Sequence, residues 1–158
     1  MTDDKAFRAQ LVKLLDFREA HVDFDKAVQG IPLQLRGKLP QGVEHSLWQL
    51  VEHLRIAQAD ILEFCQTAKY KEKKWPDDYW PHALGPRSAA AWTKSIAGYR
   101  RDRKAFQRLV ANTKIDLCSN IPHGTGQTYL REILLVADHN AYHIGQIVAL
   151  RRLLGIWK

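Results

Sequence analysis

Residues 129–154, YLREILLVADHNAYHIGQIVALRRLL, decide how this chain is read. Gly145 is the only glycine or proline in the stretch, so it predicts one long helix. Gly155 follows as a left-handed C-terminal cap, and Arg151 and Arg152 occupy the last turn, where positive charge suits the helix dipole. Leu135, His139, His143, Gln146 and Leu150 recur at helical spacing on one face. A face that is apolar above and below is expected to point into a core. Two histidines four residues apart in its middle therefore call for an explanation.

Three further helices precede this one. The first is expected to open at Asp3 or Asp4, whose carboxylates favour a helix N-terminus, and to run to about Val28 through Leu11, Leu14, Leu15 and Val22. Gly30, Pro32, Gly37, Pro40 and Gly42 make residues 30–45 an irregular connection. At Ser46 the sequence SLWQ offers a capping box, with Gln49 as the reciprocal partner, and Leu50, Leu54, Ala57, Ile61 and Phe64 carry a second helix to about Gln66. A third helix is predicted over Ser88–Ala111, through Trp92, Ile96, Tyr99, Phe106 and Leu109. Between the second and third lies YKEKKWPDDYWPHALGPRS, a segment of about 20 residues that is long enough to cross a whole bundle. Four amphipathic helices in 158 residues predict an all-α four-helix bundle forming a single domain over residues 1–158.

Composition narrows the function classes. Hydrophobic residues make up 46% of the chain and charged residues 26%, an ordinary globular balance that needs no disulfide or metal to supply a core. The start MTDDKAFRAQ lacks the basic and apolar regions of a signal peptide, and no apolar run approaches a membrane span. Cys65 and Cys118 read as two reduced thiols. The expectation is a soluble cytoplasmic protein with no membrane partner. A net charge of +7 raises the question of nucleic acid, with Lys69, Lys71, Lys73 and Lys74 in one run and Arg100, Arg101, Arg103, Lys104 and Arg108 in another. Such runs read as solvated helix faces, and nothing here resembles a recognition helix, a zinc finger or an RNA-stacking surface.

His139 and His143, at i and i+4, project from adjacent turns, a geometry in which two ring nitrogens bind one metal ion. His53, central in the second helix among Leu50, Ala57 and Phe64, is the candidate third ligand. Three imidazoles on inward-facing stripes are costly as unpaired polar groups, and coordination would satisfy them together. Gln49 and Asp60 near His53, and Glu132 and Gln146 near the pair, are candidates to orient the imidazoles, although polar residues towards helix ends are expected to reach solvent. His21 falls on a face with Leu14, Phe17 and Phe24 and reads as a core or boundary histidine, while His45, His82 and His123 fall in loops. The sequence His139-Asn140-Ala141-Tyr142-His143 lacks the glutamate that a His-Glu-x-x-His protease needs as its base.

The segments HSLWQLVEHLRIAQADILEF, residues 45–64, and HGTGQTYLREILLVADHNAYHIGQIVALRRLLG, residues 123–155, resemble the DinB-like (damage-inducible, YfiT-like) superfamily of metalloenzymes. The resemblance implies an up-down-down-up bundle and a divalent metal, zinc or nickel, on a triad that falls here on His53, His139 and His143. It also implies homodimerisation through the bundle surface and chemistry on low-molecular-weight thiols or hydrolysis. The first reading is therefore a metal-dependent thiol S-transferase or hydrolase acting on a small molecule. Tyr142, Asp60 and Glu132 are its candidate catalytic groups, and Trp75, Tyr79 and Trp80 shape its pocket. A non-catalytic metal-binding stress protein stays open as the alternative, with a nucleic-acid-binding helical module behind it.

Overall fold

The computed structural model describes residues 2–16, 18 and 20–157. They form five α-helices: α1 (Thr2–Leu14), α2 (Phe24–Val28), α3 (Leu47–Gln66), α4 (Ala89–Ala111) and α5 (Tyr129–Leu153), with a 3-10 turn at Leu33–Leu35. Among the described residues there is no strand, only an isolated antiparallel bridge between Asn120 and Thr128. No described helix is long and apolar enough to cross a membrane.

Local chemistry sets the ends of the three long helices. Ser46 and Gln49 form the expected capping box: the Ser46 hydroxyl accepts from the Gln49 N–H, and the Gln49 side chain accepts from the Ser46 N–H at 3.0 Å. Ser88 caps α4 and Thr128 caps α5 more simply, each hydroxyl accepting from a backbone N–H in the first turn, that of Ala91 and of Arg131. At the far end of α5, Gly155 takes φ +70°, so its N–H reaches the Arg152 carbonyl and the Ile156 N–H reaches that of Arg151, both at 3.0 Å. That paired closure is a Schellman motif, which favours glycine for its left-handed residue.

The expected continuous first helix is instead two helices. The Asp23 side chain accepts from the Lys26 N–H at 2.7 Å and so nucleates a new helix where the apolar pattern alone predicted continuation. The break lets one segment serve two neighbours, because α1 packs on α4 while α2 packs on α5. Phe24, fully buried, stacks on Tyr99 of α4 with centroids 3.8 Å apart. Phe17, which the sequence places on the same face as His21, lies outside the described residues. His21 itself is exposed, not the core or boundary residue its spacing suggested.

Helix α3 packs against both α4 and α5, and its buried Leu50, Val51 and Leu54 join Phe106, Ile133, Val136 and Ile147 in one core. Two buried arginines close the helix ends around that core. Arg8 of α1 donates to the carbonyls of Val110 (2.8 Å), Asn112 (3.2 Å) and Ile115 (2.7 Å), and pairs with Asp4. Its charge thus sits at the negative C-terminus of α4. Arg151 does the same for α2 through the Lys26 and Ala27 carbonyls, with its guanidinium 4.8 Å over Trp157.

The long connection between α3 and α4 is held at its second half. The Gln49 amide donates to the Pro81 carbonyl at 3.0 Å, and the Ser46 hydroxyl donates to the Leu84 carbonyl. Gly37 and Gly85 meet so closely that a Cβ on Gly37 would lie 2.8 Å from the Gly85 Cα. The connection is therefore keyed to the same residues that start α3.

Replacing Arg8 by Met should leave three carbonyls at the end of α4 without their charged donor. We expect a loss of about 2–3 kcal/mol, read as a lower urea midpoint with an unchanged m-value.

A histidine cluster at the junction of α3 and α5

His53, His139 and His143 converge, with one ring nitrogen from each lying within 4.8 Å of the others. The Nε2 atoms of His53 and His139 are 2.9 Å apart, and those of His53 and His143 are 3.2 Å apart. The expected stripe on α5 needs a correction. Of its residues His143 and Leu150 are buried as expected, but Leu135 is 36% exposed, and the most deeply buried face is built by Ile133, Val136, Asn140, Ile144 and Ile147. The histidines therefore line the edge of the core, beside a cavity of about 590 Å³.

Each imidazole is oriented through its other nitrogen. His53 Nδ1 lies 3.0 Å from the backbone carbonyl of Tyr79, an acceptor only, so Nδ1 carries the proton. For His139 the assignment follows a buried relay. The Gln58 amide donates to the Tyr99 carbonyl at 2.7 Å, which turns its oxygen to accept from Asn140 Nδ2 at 3.0 Å. The remaining Asn140 oxygen then faces His139 Nδ1 at 3.3 Å and accepts its proton. His143 Nδ1 donates to the Gln146 side-chain oxygen at 2.7 Å. All three Nε2 atoms are thereby left as lone pairs facing one another. Facing lone pairs at this separation repel, and a shared cation removes the repulsion. The donor set fits a divalent transition metal, for which neutral imidazole is a common ligand.

Burial reinforces the neutral state. His53, only 1% exposed, is driven down to about 3 by desolvation, partly opposed by the Tyr79 carbonyl, with the neighbouring imidazoles lowering it further. Desolvation likewise brings His143 to about 4, and it lowers His139 against the opposing hydrogen bond to Asn140. Trp80 stacks on His53 at 3.7 Å with rings 4° from parallel, and His45 stacks on Trp80 at 3.8 Å. His45 therefore supports the cluster through an indole and is not part of it. His123 donates to the Phe64 carbonyl at 2.7 Å and lines the cavity elsewhere.

The polar residues expected to reach solvent do not. Gln49, Asp60 and Glu132 are buried, and Gln146 is half-buried against His143. Asp60 accepts from the Tyr79 hydroxyl at 2.6 Å and the Tyr70 hydroxyl at 3.3 Å, while Glu132 pairs with Arg131 at 2.6 Å. Both carboxylates line the cavity with His53, His139, Trp75 and Tyr79. Tyr142 lies apart from it, 65% exposed, with its ring edge-on to His143 at 4.9 Å. Cys65 is buried and its thiol is pushed up to about 12 by desolvation and then by Glu132, so it is an inert neighbour. Asn140, Gln58 and the Tyr79 carbonyl were not anticipated, because nothing in their residue types distinguishes them until the helices are assembled.

The sequence profile of the DinB superfamily matches residues 16–147, a span that contains all three histidines. The chain belongs to the DinB superfamily. No curated protein and no solved structure matches it. Part of the basic run on α4 is engaged in ion pairs: Arg100 and Arg103 share Asp25 at 2.6 and 3.0 Å, and Arg101 pairs with Asp102 at 2.9 Å.

The depressed imidazoles make a pH prediction for chelator-treated protein. Unfolded histidines take up protons near 6.5, whereas folded His53 and His143 do so only near 3 and 4. Between those limits the unfolded chain holds more protons. Stability is therefore full above about pH 6.5 and falls as pH drops towards 4, by roughly 1.4 kcal/mol per group per pH unit at most. The metal-free protein should melt lower at pH 5 than at pH 7, and replacing both residues by Asn should reduce that difference, leaving the contribution of His139. A wild-type Tm independent of pH over this range would contradict the burial argument.

Proposed function

We propose that this DinB-superfamily protein binds one divalent transition metal ion, zinc or nickel, through the Nε2 atoms of His53, His139 and His143. We propose further that it acts as a metal-dependent enzyme of the thiol S-transferase or hydrolase type. The observation that carries the reading is the convergence of three neutral imidazoles whose Nδ1 protons are all directed outward. The chemistry such an ion supplies is Lewis acidity, which makes a thiol or a water more acidic at neutral pH.

The chain's own residues supply the rest. Trp80 and the Tyr79 carbonyl fix the plane and tautomer of His53, as outer partners of ligating histidines do. Phe64, Tyr70 and Trp75 give the cavity aromatic walls, and Asp60 and Glu132 place carboxylates beside them as proton-handling groups. A small-molecule thiol is the substrate class in this reading. Cytoplasmic location, a homodimer, a single domain and an up-down-down-up bundle of α1, α3, α4 and α5 belong to the same proposal.

The alternative is a stress protein in which the ion only braces the helices. Structural zinc normally has four protein ligands. Among the described residues the cluster has three, and Cys65 is not one of them. That difference favours catalysis, since three ligands leave a position for substrate. Helices that persist after chelation would support the enzyme, whereas their collapse would support the brace.

Elemental analysis of untagged protein should find about one equivalent of zinc or nickel. His143→Ala should lose it while the helical circular dichroism persists. An absence of metal even after reconstitution with several divalent ions would remove the triad as a ligand set.

A further inference from the structure

Three residues of the long connection converge on one side chain. The hydroxyls of Tyr79 and Tyr70 donate to Asp60 Oδ2 at 2.6 and 3.3 Å, and Lys73 Nζ stands 3.8 Å from Oδ1. Asp60 is 5% exposed, and its Oδ1 has no hydrogen-bond partner. It lies two helical turns beyond His53 on the same face of α3. The other polar contacts of residues 69–79 are local ones, such as Lys74 N–H to Asp78 and Tyr79 N–H to the Pro76 carbonyl. Among the described residues, this arm is tied to α3 by polar contacts at two points only: the Asp60 carboxylate and the hydrogen bond from His53 to the Tyr79 carbonyl.

Tyr79 therefore belongs to both ties. Its hydroxyl is held by Asp60 and its carbonyl holds His53, while the next residue, Trp80, stacks on the same imidazole. We infer that Asp60 is a positioning residue: its buried carboxylate clasps the 70–79 arm, and the clasp sets the carbonyl and indole that orient His53. The inference rests on the metal-binding reading for its consequence, but not for its geometry. The tyrosines are suited to the task because their hydroxyls remain protonated donors. Burial, and after it Asp60, pushes Tyr70 up to about 12 and raises Tyr79 further still. The clasp also holds one wall of the cavity, since Tyr70, Trp75 and Tyr79 all line it. Asp60 would thus govern both how tightly the ion is held and how closed its surroundings are.

Cobalt(II), titrated against a competing chelator, reads the affinity and, through its visible spectrum, the ligand field. Tyr79→Phe deletes one hydroxyl and keeps the ring, and Asp60→Asn keeps the volume and removes the charge. Both should weaken cobalt binding by roughly 10–100-fold and alter the spectrum. Both should also expose the arm to trypsin after Lys71, Lys73 and Lys74. Unchanged affinity, spectrum and cleavage in Tyr79→Phe would overturn the clasp. Should the wild-type protein take up no cobalt, the metal reading fails and the clasp is judged separately by nuclear magnetic resonance. In that case the His53 Nδ1 proton should be protected in the wild type and lost to exchange in Tyr79→Phe, and its persistence in the variant would overturn the inference.

Discussion

Two imidazole nitrogens 2.9 Å apart can share only one proton, and here a third nitrogen stands 3.2 Å from the first. The surrounding structure is arranged so that none of the three brings a proton to the meeting point. The Tyr79 carbonyl, the Asn140 amide oxygen and the Gln146 amide oxygen each take the Nδ1 proton of one ring. A buried backbone carbonyl decides the least obvious of these assignments. Because Gln58 must donate to Tyr99, Asn140 must present its oxygen to His139. The helical core and the electronic state of the cluster are in this sense one network, running from α4 through α3 to α5.

Desolvation acts in the same direction. Burial opposes protonation of all three rings, so the cluster is a set of neutral donors and not a patch of positive charge. In a chain of net charge +7, that distinction separates a metal reading from an anion-binding one. Three arginines of α4 are engaged with acids, Arg100 and Arg103 with Asp25 and Arg101 with Asp102. Family membership agrees with the arrangement, while a shared fold does not by itself choose a reaction.

Much of this was legible in the sequence wherever a local rule decides the outcome. Ser46 with Gln49, Ser88, and Gly155 mark helix ends by chemistry confined to a few neighbouring residues, and the elements begin or end there. The i, i+4 histidines were visible for the same reason. The break before Asp23 was not, because an aspartate within an apolar periodic run caps a new helix or simply faces solvent according to what the helix meets. Here the meeting is Phe24 on Tyr99, a contact between residues far apart in the chain. The burial of Asp60 and Glu132 was hidden likewise, since their solvent is replaced by a distant loop and by a cavity wall. The Tyr79 carbonyl leaves no trace in residue types at all, because every residue has one.

The most direct test of three Nε2 atoms around one ion is the X-ray absorption spectrum of the metal-loaded protein at the metal edge. The account predicts three imidazole nitrogens at about 2.0–2.1 Å for zinc, with the multiple-scattering pattern of ordered rings and no sulfur. A sulfur scatterer near 2.3 Å, or a shell of oxygens with fewer than three imidazoles, would contradict it.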